Sequence, residues 1–227
     1  MDKVKRMPNR SYGQFCGLAR ALDTVGDRWN LLIVRELLPG PQRYNELKAS
    51  LSGIATNLLA ARLRDLEANR IVERRLADAG VSYALTPWGA GLREPIEALI
   101  NWSAPLMITG RGDDSFQPRW LATALPALLR DVTADPTVEL GIQVGDFLMT
   151  LRIDQTGPSV VIQPEQHPET ILMAPPEAVL GLAAGALTTD QALTIGEMQG
   201  DREVLLTVFP SRRSNAAAAL ASALNSI

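Results

Sequence analysis

Four short segments in the first half of the chain, two with helical periodicity and then two that are strand-like, follow one another in an order that few folds can accommodate. The pieces are residues 43–50, 56–68, 71–76 and 81–85. The first two carry apolar side chains at helical spacing, and Gly53 lies in the break between them. The last two are rich in β-forming residues and flank a turn that contains Gly80, where a positive φ can close a hairpin. The order helix, turn, helix, hairpin predicts a winged helix-turn-helix.

The second of these helices, residues 56–68, is the reading helix of that prediction. At about 100° per residue, Leu59, Leu63 and Leu66 share one face. The opposite face carries four residues: Asn57, Ala60 at its flank, Ala61 and Arg64. Asparagine can pair with adenine and arginine with guanine, and alanines let a helix enter the major groove deeply. Any amphipathic helix with a polar outside would have the same spacing, so the interpretation depends on its neighbours.

The neighbours supply candidate contacts to the DNA backbone. Arg43 opens the preceding helix and Thr56 opens the reading helix, whereas Arg74 and Arg75 lie in the hairpin of residues 71–85, the wing. Cations and hydroxyls at such positions bind phosphates, and a wing can also enter a minor groove. The alternative is a solvated hairpin that happens to carry two arginines.

Composition limits the other classes of function. Hydrophobic residues make up 46% of the chain, yet no apolar run approaches the about 18 residues of a membrane span, and the first residues do not resemble a secretory signal. The single cysteine excludes an internal disulfide, and we expect a cytoplasmic protein without a membrane partner.

Catalytic chemistry has little support in the sequence. The one histidine, His167, cannot form a zinc set without a second histidine or cysteine, and no nucleophile motif accompanies it. No glycine-rich phosphate loop is present. We therefore expect neither an enzyme nor a cofactor.

Charge divides the chain into two parts. Residues 1–110 hold 15 Lys and Arg against 11 Asp and Glu, whereas residues 111–227 hold 7 against 14. A Pro/Gly/Asp-rich bridge separates the two parts. The sequence therefore predicts a DNA-binding and dimerisation domain at 1–108 and a second domain at 117–227.

Three further helices are expected in the first domain, the first with Leu18, Leu22 and Val25 as its apolar stripe. Trp29 is expected in the core, near the start of the second. A last helix from residues 86 to 102 has more apolar positions than one small domain would hide. This excess favours a homodimer, and dimers usually bind palindromic operators in double-stranded DNA.

Taken in order, these segments resemble the HxlR family of bacterial transcriptional regulators, which are related to the MarR type. The matching pieces are Cys16, residues 21–29, Gly40, residues 43–47, Gly53 and Ile54, residues 63–67, residues 83–89, and Trp102. The family's usual Gly-Gly-Lys-Trp stands here as Gly26, Asp27, Arg28 and Trp29. The resemblance implies a cytoplasmic winged-helix dimer that represses or activates genes. Some members sense oxidants or electrophiles through a cysteine at the place of Cys16, although free cysteines are commonly buried and inert.

The second domain changes to a period of two. Four strands are expected as an antiparallel meander, beginning at Val138, Phe147, Val160 and Ile171, and two further β-like pieces near residues 194–198 and 203–209. Helices are expected at residues 120–132, after Pro176, after Thr188 or Thr189, and at the C-terminal end. The overall class is α+β, with a smaller α/β second domain whose sheet is mostly antiparallel.

Residues 177–182, 185–192 and 196–201 give this second domain a resemblance to the sterol carrier protein type 2 fold. That fold encloses an apolar tunnel, so the resemblance implies an apolar effector. Its candidate contacts are Leu140, Ile142, Phe147, Met149, Leu151 and Leu180. The same residues could simply fill a core. The leading hypothesis is a dimeric transcriptional regulator controlled by an apolar ligand, and the competing one is a lipid carrier whose winged helix serves protein association.

Overall fold

The computed structural model describes residues 11–77, 80–107 and 110–210 and contains both helices and sheets. The chain forms two compact units, residues 1–93 and residues 94–227. Over the described residues, no helix combines the length and the apolar character needed to cross a membrane. The domain boundaries expected from the sequence, 1–108 and 117–227, remain a prediction.

The first unit contains five helices and three strands within its described residues. They are α1 (Gly17–Val25), α2 (Asn30–Leu37), β1 (Gln42–Arg43), α3 (Tyr44–Ser50), α4 (Thr56–Ala68), β2 (Val72–Ala77), β3 (Gly80–Leu85) and α5 (Pro87–Ala90). The strands form one antiparallel sheet in the order β1-β3-β2. Helices α3 and α4 followed by the β2–β3 hairpin are the winged helix-turn-helix predicted from the sequence.

The core of the first unit forms where the predicted apolar faces meet. Leu59, Leu63 and Leu66 are at most 1% exposed. Ile33 of α2 and Leu47 of α3 are completely buried as well. Full burial of a leucine side chain stabilises a fold by roughly 1.5–3 kcal/mol, so this contact fixes which face of α4 points outward.

Two details of the first unit differ from the expectation. Leu18 is exposed and only Val25 of the expected α1 stripe is buried. The helix expected over residues 86–102 is two helices, α5 and α6 (Arg93–Ser103), and α6 begins at the boundary between the units. The break lies at Gly91 and Leu92, between the two helices. Within α5, a Cβ at Gly89 would lie 2.0 Å from the carbonyl oxygen of Ile71. This close backbone approach fixes α5 against the wing.

The second unit consists of α6, the remaining helices and a five-stranded sheet in the order β6-β5-β4-β7-β8. Its further elements are α7 (Leu121–Leu128), β4 (Val138–Val144), β5 (Phe147–Asp154), β6 (Gly157–Ile162), β7 (Ile171–Met173), α8 (Pro176–Ala183), α9 (Thr189–Leu193), β8 (Glu197–Gln199) and α10 (Arg202–Val208). Thr188 caps α9 by accepting a hydrogen bond from the Gln191 amide, as the sequence suggested. The expected C-terminal helix lies outside the described residues.

Two predictions for the second unit are wrong. The fourth strand, β7, does not continue the meander but pairs in parallel with β4, although the other pairings are antiparallel as expected. The expected strand at residues 203–209 is the helix α10. Asp201 caps this helix, and its apolar residues Leu205, Val208 and Phe209 are buried at helical spacing.

Candidate nucleic-acid interface

The outward face of α4 carries the residues that the sequence assigned to base contacts. Asn57 and Arg64 are exposed, whereas Ala60 and Ala61 are half-buried between the polar face and the core. Small side chains beside two exposed polar ones leave the helix backbone accessible to a groove. The four residues therefore lie together on one accessible surface of the reading helix.

The preceding helix holds the beginning of the reading helix in place. The Tyr44 hydroxyl donates a hydrogen bond to the carbonyl oxygen of Thr56 at 2.7 Å. In the turn between α3 and α4, Gly53 has a φ of 87° and Ile54 is buried. Ala55 occupies the N-cap without a side-chain cap, and the Leu58 amide instead donates to Oδ1 of Asn57 at 2.9 Å. Thr56 itself is exposed there.

Arg43 lies on the same unit but at the start of α3. Its side chain is exposed, and its amide donates a hydrogen bond to Oε2 of Glu46 at 2.6 Å. Arg43 also belongs to β1, where it pairs with Ser82 of the wing. The sequence did not predict this strand, which joins the helix-turn-helix to the hairpin by backbone hydrogen bonds.

The two wing arginines have different surroundings. Arg74 donates to Oε2 of Glu67 at 2.9 Å, and its guanidinium lies over the ring of Tyr83 at 5.9 Å. Arg75 donates to Oε1 of Glu73 at 2.8 Å within the wing. Both side chains are about half exposed, and a phosphate could compete with these carboxylates. Arg74 thus links the wing to α4, whereas Arg75 does not.

The turn between α1 and α2 contacts the reading helix, and the sequence did not predict this contact. Arg62 of α4 donates to Oδ2 of Asp27 at 2.5 Å and to Oδ2 of Asp65 at 3.1 Å. Trp29, half-buried rather than fully in the core, has a φ of 88° at the start of α2. The one sequence signal for this contact is Asp27 itself, which stands where the family usually has a second glycine and adds a carboxylate that Arg62 can bind.

Cys16 and the apolar residues near it lie on the surface of the first unit. Cys16 is an exposed free thiol at the N-cap of α1. Tyr12, Phe15, Leu18 and Leu22 are also exposed, and Phe15 has no cover at all. In the second unit, Leu99, Trp102, Leu106 and Met107 are exposed in the same way. Exposed apolar side chains that form one contiguous patch are typical of interaction sites.

The candidate effector contacts belong to the hydrophobic core of the second unit. Leu140, Ile142, Met149 and Leu151 are completely buried in it, and Phe147 and Leu180 pack against it partly buried. The core is built from the inner face of the sheet together with helices α7, α8 and α10. All six residues therefore belong to one hydrophobic core or pack against it.

Comparison with known proteins places the first part of the chain in one group. The family model described as HxlR-like helix-turn-helix matches residues 24–109. The transcriptional regulator YodB of Bacillus subtilis is 36% identical over 86 residues, which are 37% of this chain and 77% of YodB. The uncharacterised regulator YvaP of the same organism is 32% identical over 87 residues, 37% of this chain and 81% of YvaP.

Solved structures of YodB match a similar share of the chain. The reduced form of YodB from B. subtilis is 33% identical, covers 43% of this chain and 99% of that one, and has a TM-score of 0.37. The quinone-bound form of YodB is 34% identical over 38% of this chain and 94% of that one, with a TM-score of 0.35. The matched family and these relatives are transcriptional regulators, not enzymes.

Proposed function

Because this chain belongs to the HxlR-like helix-turn-helix family of transcriptional regulators, we propose that it acts as a dimer on a palindromic operator in double-stranded DNA. Its proposed location is the cytoplasm, where the chromosome of a bacterium lies. Residues 1–108 form the DNA-binding and dimerisation domain of the proposal, and residues 117–227 form a domain that binds an effector.

One observation carries the DNA-binding mechanism: the accessible face of α4 combines Asn57 and Arg64 with two alanines, opposite a buried row of leucines. In the proposed complex, Asn57, Ala60, Ala61 and Arg64 face the base edges in the major groove. Arg43 and Thr56 contact phosphates on either side of the helix-turn-helix. Arg74 and Arg75 of the wing contact the adjacent backbone or minor groove.

Dimerisation is proposed to cover the exposed apolar residues of α1 and of the segment before it. An uncovered phenylalanine such as Phe15 gains free energy when a second copy removes it from water, at about 25 cal/mol per Å² of apolar surface. A dimer would also present two reading helices, and a palindromic operator requires both.

Control by an apolar ligand is proposed for the second domain, which resembles the sterol carrier protein type 2 fold in sequence. The contacts proposed for the ligand are Leu140, Ile142, Phe147, Met149, Leu151 and Leu180. A ligand could change DNA affinity only by binding one dimer conformation more tightly than the other. A lipid carrier would bind such a ligand without any effect on DNA.

Cys16 is proposed as a second input, sensitive to electrophiles. Its thiol is exposed and begins α1, next to the proposed dimer surface. A quinone is the first probe to use, since YodB has been crystallised with a quinone bound. With one cysteine per chain, the products open to it are an adduct or a disulfide between subunits.

The test is fluorescence anisotropy of the full-length protein on a DNA fragment from immediately upstream of its own gene, titrated with salt. We expect tight binding, with log K falling by several units per log unit of salt as phosphates are neutralised. A candidate lipid added to the bound complex should then change the affinity. Absence of binding at low salt, with and without ligand, would contradict the proposal. Ligand binding by such a protein would support the carrier.

A further inference from the structure

The turn between α1 and α2 touches the reading helix from outside the helix-turn-helix. Asp27 lies in this turn, and its carboxylate accepts a hydrogen bond from Nη1 of Arg62 at 2.5 Å. Arg62 lies in the middle of α4, 35 positions further along the chain. The Arg62 side chain is 22% exposed and that of Asp27 is 57% exposed, so solvent screens this ion pair in part.

The turn that carries Asp27 is itself tightly constrained. The Asn30 amide donates to the carbonyl oxygen of Asp27 at 3.1 Å. A Cβ at Gly26 would lie 2.5 Å from the carbonyl oxygen of Leu22, so the chain passes close to the end of α1. Trp29 takes a left-handed φ of 88°, and its indole reaches within 3.9 Å of where a Cβ on Gly53 would lie. The turn is therefore hydrogen-bonded to the helix-turn-helix at Arg62, and it brings the Trp29 indole near Gly53.

From this geometry we infer that Asp27 is a positioning residue for DNA recognition: through Arg62 it fixes the orientation of α4 and couples α1 to the reading helix. The inference rests on the proposed function. Helix α1 carries the exposed apolar side chains Leu18 and Leu22, so a shift of α1 within a dimer reaches α4 through this ion pair. Asp65 also binds Arg62, at 3.1 Å, but it lies on α4 itself and cannot tie that helix to the turn.

Whether Asp27→Asn weakens or tightens DNA binding separates a positioning role from simple electrostatic repulsion. A carboxylate beside a DNA-binding helix repels phosphates, so its removal alone would tighten binding to every sequence. Loss of a positioning contact has the opposite effect and weakens only the binding that depends on base contacts. For Asp27→Asn we expect specific binding to weaken by on the order of threefold, the range of a partly exposed ion pair, and non-specific binding to stay the same or tighten.

The experiment compares full-length variants on the fragment upstream of the gene and on an unrelated duplex of the same length. Asp65→Asn is the matched control, since it removes the same charge from the same arginine without cutting the link to the turn. It should bind as tightly as the wild type or more tightly. Combined with Arg62→Gln, Asp27→Asn should add no further loss, because the two residues act through one contact. Tighter binding of Asp27→Asn on both duplexes, or additive losses, would overturn the inference.

Amide hydrogen exchange of residues 56–68 in the free protein gives an independent readout. Exchange should be faster in Asp27→Asn than in Asp65→Asn, because the reading helix loses its external support. Equal exchange in both variants would overturn the coupling. If the wild type shows no preference for the upstream fragment, the proposed function fails, whereas the exchange result still decides whether Asp27 supports α4.

Discussion

Arg62 and Arg64 are two positions apart on the reading helix, yet their guanidinium groups have different surroundings. Arg62 is mostly covered and donates to two carboxylates, Asp27 and Asp65. Arg64 is exposed on the face that also carries Asn57. Helical phase places one arginine toward the neighbouring turn and the other outward, so charge alone would not distinguish a positioning residue from a base-contacting one.

Replacing Arg64 with alanine should weaken binding to the specific site by about 1–3 kcal/mol and relax the preference at one base pair. The reason is the loss of the bidentate contact to guanine that is proposed for Arg64. Competition binding against a set of single-base variants of the operator measures both effects.

The matched control for that substitution is Arg130→Ala, which removes one exposed arginine from the second unit. It changes the net charge by the same amount, so it should leave the base preference intact. If Arg64→Ala weakened binding equally on all sequences, Arg64 would be a phosphate contact and the assignment to bases would be wrong.

At the scale of elements, the wing offers a separate prediction through Arg75. Arg75→Ala should reduce affinity on all sequences alike and lower the salt slope by about 0.9, the value for one phosphate contact. Arg75 is a better test than Arg74 because its partner Glu73 also lies in the wing, so the substitution breaks no link to α4. The slope is measured by determining log K over a range of salt concentrations. An unchanged slope would show that Arg75 does not contact a phosphate.

Helix α5 depends on one glycine. Gly89→Ala would place a methyl group 2.0 Å from the carbonyl oxygen of Ile71, which is backbone and cannot move aside as a side chain can. We expect a loss of about 1–3 kcal/mol in the free energy of unfolding, as for overpacked cores. Gly17→Ala in α1 is the control, since nothing lies within 4 Å of its Cβ position. The urea midpoint should fall for the first variant only, and equal midpoints would contradict the steric argument.

Local patterns predicted the elements whose signals are local. The sequence predicts the reading helix over residues 56–68, and α4 spans those residues because three leucines at helical spacing meet one core. The sequence also predicts a strand at residues 203–209, because short apolar runs suit both structures, yet the Asp201 cap favours a helix. The parallel pairing of β7 with β4 depends on chain topology, which periodicity does not contain.

The candidate site divides in the same way. The outward face of α4 follows from the period of one helix, so its residues could be predicted. The contacts of Asp27 with Arg62 and of Glu67 with Arg74 join separate elements, and no spacing rule indicates them. Those contacts determine which arginine side chains pair with carboxylates, so the roles of the individual arginines do not follow from the sequence pattern alone.

At the scale of the molecule, charge indicates which unit binds DNA. Residues 1–93 hold 15 Lys and Arg against 9 Asp and Glu, whereas residues 94–227 hold 7 against 16. Phosphates repel an acidic unit, so we expect DNA affinity to come from the first unit. The HxlR-like helix-turn-helix family model supports the same division, because it matches residues 24–109. In the proposed mechanism, the second unit changes DNA binding indirectly, through the population of dimer conformations.

Dimerisation should therefore control affinity, and Phe15 is the residue to change. Its side chain is fully exposed in one subunit and is proposed to be buried by the second. Phe15→Glu would place an unpaired charge in an apolar interface, so we expect monomers at micromolar concentration in sedimentation velocity and a loss of cooperative operator binding. Val161→Glu, at a half-exposed apolar position of the second unit, is the control and should sediment as the wild type does.

A Phe15→Glu protein that still sedimented as a dimer and bound the operator normally would show that the subunits associate through another surface. The exposed side chains of α6, Leu99 and Trp102, would then be the next to test.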